Sequence, residues 1–260
     1  MCKLKSAIIL KDRIFMPDYD SHSKMLDELG ISDDYLGASK KFVRVELSPK
    51  NGDVFTDIDS WIFNVDQDIR PEWFSVDEYK PKMIEAVKEW AKTHIHIGVV
   101  SLKITAGENH YIKDCKGVEI YDSAQVKNIC GSAQVENIYD SAQVENIYDS
   151  AQVKYIYGSA QVENIYGSAQ VENIYGSAQV KYIYGSAQVK NIYDSAQVEK
   201  VSDIAVICSD PNWAWKNASS VILCENATFK DNRAKVIYQS GDYKLVTVES
   251  GKKISESEDK

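Results

Sequence analysis

The sequence predicts an α+β domain followed by a parallel β-solenoid (β-helix), and three observations lead to this fold class. A nine-residue motif recurs without insertion through residues 122–202. Residues 1–112 alternate strand and helix patterns and contain no repeat. Residues 210–260 contain further β-rich segments and a short polar tail. We therefore predict an α+β domain over 1–112, a nonapeptide solenoid over 113–209, and cap strands over 210–260.

The N-terminal domain is predicted from apolar periodicity and turn residues. The predicted strands and short helix cover residues 4–10 (strand), 21–29 (helix, ended by Gly30), 42–47 (strand) and 60–65 (strand). A longer helix is predicted over 78–93, where Ser75 and Glu78 have the spacing of a capping box and Pro81 falls near the first turn. Its buried face is expected to carry Ile84, Val87, Ala91 and Ile95.

The repeat has the consensus D/G-S-A-Q-V-E/K-N-I-Y. Its nine units begin at Asp122, Gly131, Asp140, Asp149, Gly158, Gly167, Gly176, Gly185 and Asp194. Valine, isoleucine and tyrosine with one fixed Gly or Asp favour short strands joined by turns. Alternation then predicts that Ala, Val and Ile point inward while Ser, Gln, Glu/Lys and Tyr point outward. Because no unit can bury its apolar face alone, capping segments are expected at both ends, with strands after the array near residues 204–208, 220–224 and 234–238.

The charged sixth position predicts how many units form one coil, since like charges on neighbouring strands repel. With two units per coil, six of the seven pairs that are 18 residues apart have opposite charges. With three units per coil, five of the six pairs that are 27 residues apart are alike. Only Tyr155 and Tyr182, which replace Asn and are 27 residues apart, favour three. We therefore predict two nonapeptides per coil.

Composition limits the classes of partner. The net charge of -9 argues against direct binding to nucleic acid or to an anionic membrane. No signal peptide or apolar run of membrane-spanning length is apparent, so we expect a soluble, cytoplasmic protein. The five scattered cysteines contain no C-x-x-C pair and are expected to be free thiols. The sequence predicts no cofactor. It also predicts no calcium site, because the G-G-x-G-x-D turns of calcium-binding rolls are missing.

The outward tyrosines form the candidate binding surface. These residues are Tyr139, Tyr148, Tyr157, Tyr166, Tyr175, Tyr184 and Tyr193. One interpretation is that they shield the backbone and stack along the solenoid. The other is an aromatic strip that docks a protein, because Tyr offers a large contact area at low entropic cost.

Three polar groups in the N-terminal region could carry chemistry. They are Asp18, Asp20 and His22 in a loop before a helix, His94 and His96 on one face of an extended segment, and His110 with Asp114 and Cys115. Helix capping and solvation explain the first group equally well. The second group lacks a third metal ligand, and in the third group a single Cys–His pair close in sequence is a weak signal. The acidic residues Asp53, Asp57, Asp59, Asp66 and Asp68 are expected on a solvated face. We therefore predict no catalytic or metal-binding residues.

The segment from Trp61 to Phe74 (WIFNVDQDIRPEWF), followed by EAVKEWA from Glu85 to Ala91, resembles a domain of uncharacterised proteins from gut bacteria and their phages. In those proteins the domain precedes short β-forming repeats. The resemblance implies phage-borne or mobile genes but supplies no activity. The array is also similar in kind, though not in period, to the pentapeptide-repeat solenoids.

Three functions follow as hypotheses. The first is a non-enzymatic binding protein whose rigid repeat surface contacts a protein partner, in a phage setting an inhibitor of a bacterial defence protein. The second is an enzyme with its site in the N-terminal domain. The third is a DNA mimic, which the alternating charges oppose. An open solenoid end would also permit end-to-end homo-oligomers.

Overall fold

The computed structural model describes residues 4–34, 36, 40–192 and 194–202, and beyond these the backbone of six strands between residues 206 and 258. The chain forms two compact units, Met1–Ile95 and His96–Lys260. We call them the N-terminal unit and the solenoid unit. The solenoid's sheets therefore begin well before the predicted residue 113.

The N-terminal unit is a four-stranded antiparallel sheet with two helices. Its elements are β1 (Lys5–Leu10), β2 (Ile14–Phe15), α1 (His22–Glu28), β3 (Phe42–Ser48), a 3-10 turn (Ile58–Ser60), β4 (Ile62–Val65) and α2 (Val76–His94). The strand order is β2-β1-β3-β4. Helix α1 packs Met25 and Leu26 against Ile8 and Phe42 on one sheet face. The mixed α and β prediction for this region is confirmed.

Helix α2 differs from its prediction in two respects. Ser75 occupies the N-cap without a side-chain hydrogen bond, and Glu78 pairs with Lys82 at 2.7 Å. The capping box therefore does not form. The buried residues of the helix are Tyr79, Met83, Ile84, Val87, Trp90 and His94. The buried face is thus centred on the line from Met83 to Trp90, and Ala91 and Ile95 are only partly buried.

The solenoid unit consists of short strands. They are β5 (Ile95–Ile97), β6 (Lys103–Ile104), β7 (His110–Lys113), β8 (Lys116–Ile120), β9 (Gln125–Cys130), β10 (Gln134–Ile138), β11 (Gln143–Ile147), β12 (Gln152–Ile156), β13 (Gln161–Ile165), β14 (Gln170–Ile174), β15 (Gln179–Ile183), β16 (Gln188–Ile192), β17 (Gln197–Ser202), β18 (Val206–Cys208), β19 (Ile222–Glu225), β20 (Thr228–Lys230), β21 (Lys235–Ser240), β22 (Asp242–Glu249) and β23 (Lys252–Glu258). One sheet, here the β8 sheet, has the order β20-β18-β16-β14-β12-β10-β8-β6. The other, the β9 sheet, has the order β23-β22-β21-β19-β17-β15-β13-β11-β9-β7-β5.

Strand register shows two nonapeptides in each coil of the array. Within the β9 sheet, Gln143 pairs in parallel with Gln161 and Ile147 with Ile165, 18 residues further on. Tyr155 lies in the β8 sheet beside Asn137 and Asn173, whereas Tyr182 lies in the β9 sheet. These two tyrosines therefore do not stack, and the register excludes the three-unit alternative.

The core of the array repeats three apolar columns. Its Ala, Val and Ile side chains are at most 2% exposed and form one continuous cluster. The first residue of every unit, Gly or Asp, has φ between +54° and +70°. This left-handed turn restricts the position to Gly or to a short polar residue that tolerates it. The predicted inward and outward positions are confirmed.

The strands after the array extend the sheets. Those predicted near 204–208, 220–224 and 234–238 are present as β18, β19 and β21. Strands β22 and β23 continue the β9 sheet by antiparallel pairing. Within the described chain, neither α-helix combines the length and the apolar character required to cross a membrane.

Candidate functional site

The tyrosines of the array form two ladders at different turns of the coil. The first ladder contains Tyr121, Tyr139, Tyr157 and Tyr175, and the second contains Tyr148, Tyr166 and Tyr184. Successive ring centroids are 4.9–5.1 Å apart with interplanar angles of 1–13°. The predicted strip is therefore divided, because consecutive units lie in opposite sheets. Tyr193, also predicted for the strip, lies outside the described residues.

Stacking determines what each ladder presents. The rings cover one another's faces, so their edges and hydroxyl groups form the outer surface, and each ring is partly buried. Burial, reinforced by neighbouring tyrosines, raises the pKa of Tyr157 and Tyr175. The hydroxyl groups therefore stay protonated at neutral pH and can donate hydrogen bonds. The tyrosines therefore stack along the coil, and a docked partner would contact the edges of their rings.

Tyr155 widens the first ladder. It occupies the seventh position of its unit, where Asn is usual, and meets Tyr175 edge to face with centroids 6.1 Å apart. Lys154 lies 5.4 Å from the centre of the Tyr155 ring. An aromatic residue at a position where Asn is usual is a direct sequence signal of a local difference in the surface.

Charged side chains form ladders along both sheets. The ion pairs are Lys127–Glu145 at 2.6 Å, Lys154–Glu136 at 3.6 Å, Lys181–Glu163 at 3.6 Å and Lys190–Glu172 at 3.2 Å. Each joins residues 18 positions apart, as the sequence predicted. Because opposite charges adjoin, the outward faces are locally close to neutral.

A long groove follows the outer face of the β9 sheet. It encloses about 760 Å³ between the Gln column and the charged column of strands β9 to β17, with the inward-pointing Val residues at its floor. The equivalent groove of the β8 sheet encloses about 220 Å³. Both grooves arise because the fourth and sixth residues of a unit project outward on either side of an inward fifth residue.

Asparagine side chains brace the coils beside these grooves. Asn146 donates to Asn128 at 3.2 Å, and Asn164 donates to Asn146 at 3.1 Å. In the β8 sheet, Asn191 donates to Asn173 at 3.0 Å. Asn146 both donates and accepts, so these amide bonds hold neighbouring coils in register.

A different polar arrangement lies in the N-terminal unit, where Lys5 is fully buried. Its ammonium donates to the Pro17 carbonyl at 2.6 Å, lies 3.8 Å from Asp20 and is 4.9 Å from the centre of the Trp90 ring. Asp20 also accepts from the Ser6 amide at 3.0 Å. The loop predicted as a chemical candidate thus supplies the counter-charge of a buried lysine.

His94 and Asp18 come together at the end of helix α2. The Nε2 atom of His94 lies 3.3 Å from the Asp18 carboxylate, and its Nδ1 atom lies 2.9 Å from the Trp90 carbonyl. His94 and His96 would share a face only in an extended segment, and this condition is not met, because His94 is the last residue of α2 and His96 lies in β5.

His22, Glu46 and Asp66 bring their ligand atoms within 4.8 Å of one another. His22 begins α1, Glu46 lies in β3 and Asp66 follows β4, so three separate segments contribute. Sequence reasoning missed this set because it assigned Asp66 to the solvated face and did not single out Glu46. By strand alternation Glu46 shares a face with Arg44 and Ser48, where a solvated side chain is expected, so the sequence carried no clear signal of its burial.

The predicted nucleophile candidate, Cys115, is fully buried. Its thiol donates to the carbonyl groups of His96 and Lys113, both at 3.4 Å, and burial raises its pKa. A nucleophilic cysteine needs the opposite shift. Asp114 accepts from the backbone and side chain of Ser132, which lowers its pKa. These residues secure the first coils of the array.

His96 and His110 form a pair in the same region of the solenoid unit. Nε2 of His96 lies 3.5 Å from Nδ1 of His110, and the two rings are stacked with centroids 5.7 Å apart. The other ring nitrogen of His110 lies 3.0 Å from the Ala106 carbonyl.

Comparisons with protein-family models, with curated proteins and with solved structures found no match.

Proposed function

We propose that this chain is a non-enzymatic binding protein whose solenoid contacts a protein partner through its repeated outer surface. The observation that carries the proposal is the pair of tyrosine ladders, in which identical groups recur at about 5 Å. A partner meets side chains already ordered by stacking, so little conformational entropy is lost on binding.

The remaining surface suits a protein partner. The charge ladders leave little net field along the sheets, and the Gln columns beside the grooves offer both donors and acceptors. Mixed polarity around aromatic groups is typical of protein interfaces, whereas nucleic acid requires clustered cations. A DNA mimic would instead need unpaired acids along one face, and the Lys–Glu pairs oppose that function.

The resemblance of the N-terminal sequence to phage and gut-bacterial proteins directs the proposal towards a cytoplasmic partner in the host. A phage-borne protein of this kind would occlude a bacterial defence protein. End-to-end self-association through an open solenoid end belongs to the same proposal, and light scattering of the purified chain measures it.

The test compares the two ladders directly. One variant carries Tyr157→Ser and Tyr175→Ser, and its matched control carries Tyr166→Ser and Tyr184→Ser in the other ladder. Affinity capture from host lysate with the unaltered chain identifies the partner, and the purified pair then gives a dissociation constant for each variant. We expect one ladder variant to weaken binding by more than about tenfold, since buried tyrosines are frequent interface hot spots.

A further variant separates ring from hydroxyl. Tyr157→Phe and Tyr175→Phe keep the stack but remove the outward hydrogen-bonding groups, so a loss equal to that of the Ser variant assigns binding to the hydroxyl groups. Undiminished affinity in both Ser variants, with circular dichroism unchanged, would rule out the ladders as the binding surface.

A further inference from the structure

We propose that His22, Glu46 and Asp66 form a binding site for a divalent transition-metal ion, with Zn²⁺ the best fit. Their nitrogen and oxygen atoms converge within 4.8 Å on one side of the N-terminal sheet. No two of them are near neighbours in sequence, so the fold itself assembles the set. This inference is independent of the proposed solenoid surface.

The hydrogen bond of His22 orients the ring for metal binding. Its Nε2 atom lies 3.1 Å from the carbonyl oxygen of Val45, which can only accept, so Nε2 carries the proton. In the neutral ring Nδ1 is then the unprotonated nitrogen, and it lies 3.4 Å from Oδ2 of Asp66. A histidine that ligates a metal usually donates its other N–H to a carbonyl or carboxylate in this way.

The charge of the cluster also favours a cation. Nδ1 and two carboxylates bring acceptor groups together with a formal charge of about −2 when the imidazole is neutral. Glu46 is only 4% exposed, and like charges at such separations are costly when partly removed from water. A divalent ion would neutralise the three groups together.

The geometry suits Zn²⁺ better than Ca²⁺ or Mg²⁺. Bonds of about 2.0–2.2 Å to Zn²⁺ place adjacent tetrahedral ligand atoms about 3.3 Å apart. The distance of 3.4 Å between His22 Nδ1 and Asp66 Oδ2 is close to this value, and the Glu46 ligand atom lies within 4.8 Å of both. Calcium and magnesium prefer oxygen ligands alone, whereas an imidazole nitrogen selects transition metals.

One side of the site is accessible. The His22 side chain is 5% exposed, whereas that of Asp66 is 53% exposed. Three protein ligands with one open side match the arrangement in which a water molecule or a substrate completes the coordination. The site would therefore allow chemistry at the ion, beyond a purely structural role.

The experiment measures zinc binding to the untagged, metal-stripped full-length chain by isothermal titration calorimetry, with metal content determined by mass spectrometry. We expect one Zn²⁺ per chain and no comparable heat with Mg²⁺ or Ca²⁺. Asp66→Asn should weaken binding by more than about tenfold, because even the loss of an outer partner of a metal ligand costs that much. Asp68→Asn, an exposed carboxylate two residues away, is the matched control and should leave the affinity unchanged.

Two further measurements keep the result decisive. Glu46→Gln tests the buried ligand, and circular dichroism establishes whether each variant is folded. If Glu46→Gln does not fold, Asp66→Asn still tests the site, because it changes an exposed side chain. Nitrogen NMR of His22 without metal distinguishes a neutral ring from an imidazolium paired with Asp66. Absence of zinc binding, equal binding by Asp66→Asn, or an imidazolium that excludes zinc at neutral pH would overturn the proposal.

Discussion

The repeat array and the N-terminal unit place their charged and polar side chains differently. In the array, the core columns are Ala, Val and Ile, and charged groups lie outside, where Lys pairs with Glu one coil away. In the N-terminal unit, Lys5, His22, Glu46 and His94 lie in the interior. A repeated sequence can only repeat its contacts, whereas a non-repeated one can gather different side chains at one point. The array therefore repeats one set of apolar core contacts, whereas the N-terminal unit brings unlike polar side chains together.

The largest effect should come from the buried charge of the N-terminal unit. Asp20→Asn removes the carboxylate that faces Lys5 at 3.8 Å and leaves a buried ammonium without that counter-charge. We expect the free energy of unfolding to fall by about 3–5 kcal/mol, measured by urea denaturation and localised by peptide-level hydrogen exchange. Adding Lys5→Met should recover most of the loss. No recovery in the double variant would show that Asp20 acts through Ser6 alone.

A core truncation in the solenoid should be nearly as costly. Ile156 is fully buried between the equivalent Ile138 and Ile174 of the adjoining coils. Ile156→Ala should lower the free energy of unfolding by about 2–4 kcal/mol, because a rigid column cannot close the cavity. The near-ultraviolet circular dichroism of the stacked tyrosines follows the transition. The exposed Gln152→Ala in the same strand should change stability by less than about 0.5 kcal/mol, and a similar loss there would contradict the assignment of faces.

Alanine substitution of two glycines distinguishes the cost of backbone strain from the cost of close packing between coils. Gly30 in the N-terminal unit has φ +64° and open space where a Cβ would lie, whereas Gly167 has φ +67° and a Cβ would meet the Asp149 amide at 3.0 Å. Gly30→Ala should cost about 1–2 kcal/mol from the left-handed conformation alone. Gly167→Ala should cost more in the same thermal denaturation assay. Equal losses would indicate that adjoining coils separate without cost.

The smallest effect concerns the charge ladder. Glu172→Lys would place three lysines in succession with Lys154 and Lys190, so we expect a loss below about 1 kcal/mol that shrinks in high salt. Glu163→Lys is the matched control, since it exchanges one like pair for another between Glu145 and Lys181. Thermal denaturation at low and high salt compares them. An equal effect of both substitutions would mean that net charge, and not pairing along the column, controls the response.

Sequence periodicity was sufficient for the solenoid because each of its determinants is local. Strand length, the inward Ala, Val and Ile, and the left-handed first residue are present in every unit, and the charge series revealed the 18-residue register. Less of the structure of the N-terminal unit can be predicted from the sequence. Its strands follow from apolar alternation, whereas the set of buried residues on α2 and the pairing of Glu78 with Lys82 instead of a capping bond appear only in the folded unit.

The amino-acid pattern alone predicts the repeat architecture, because every nonapeptide carries the same strand, core and turn residues and the charges along the array indicate the 18-residue register. The folded chain shows that the tyrosines divide into two ladders, since the alternation between sheets places consecutive units at different turns. It also shows that His22, Glu46 and Asp66 meet. Their side chains converge only after a helix start, a strand and a loop have packed together, and no spacing along the chain records that convergence.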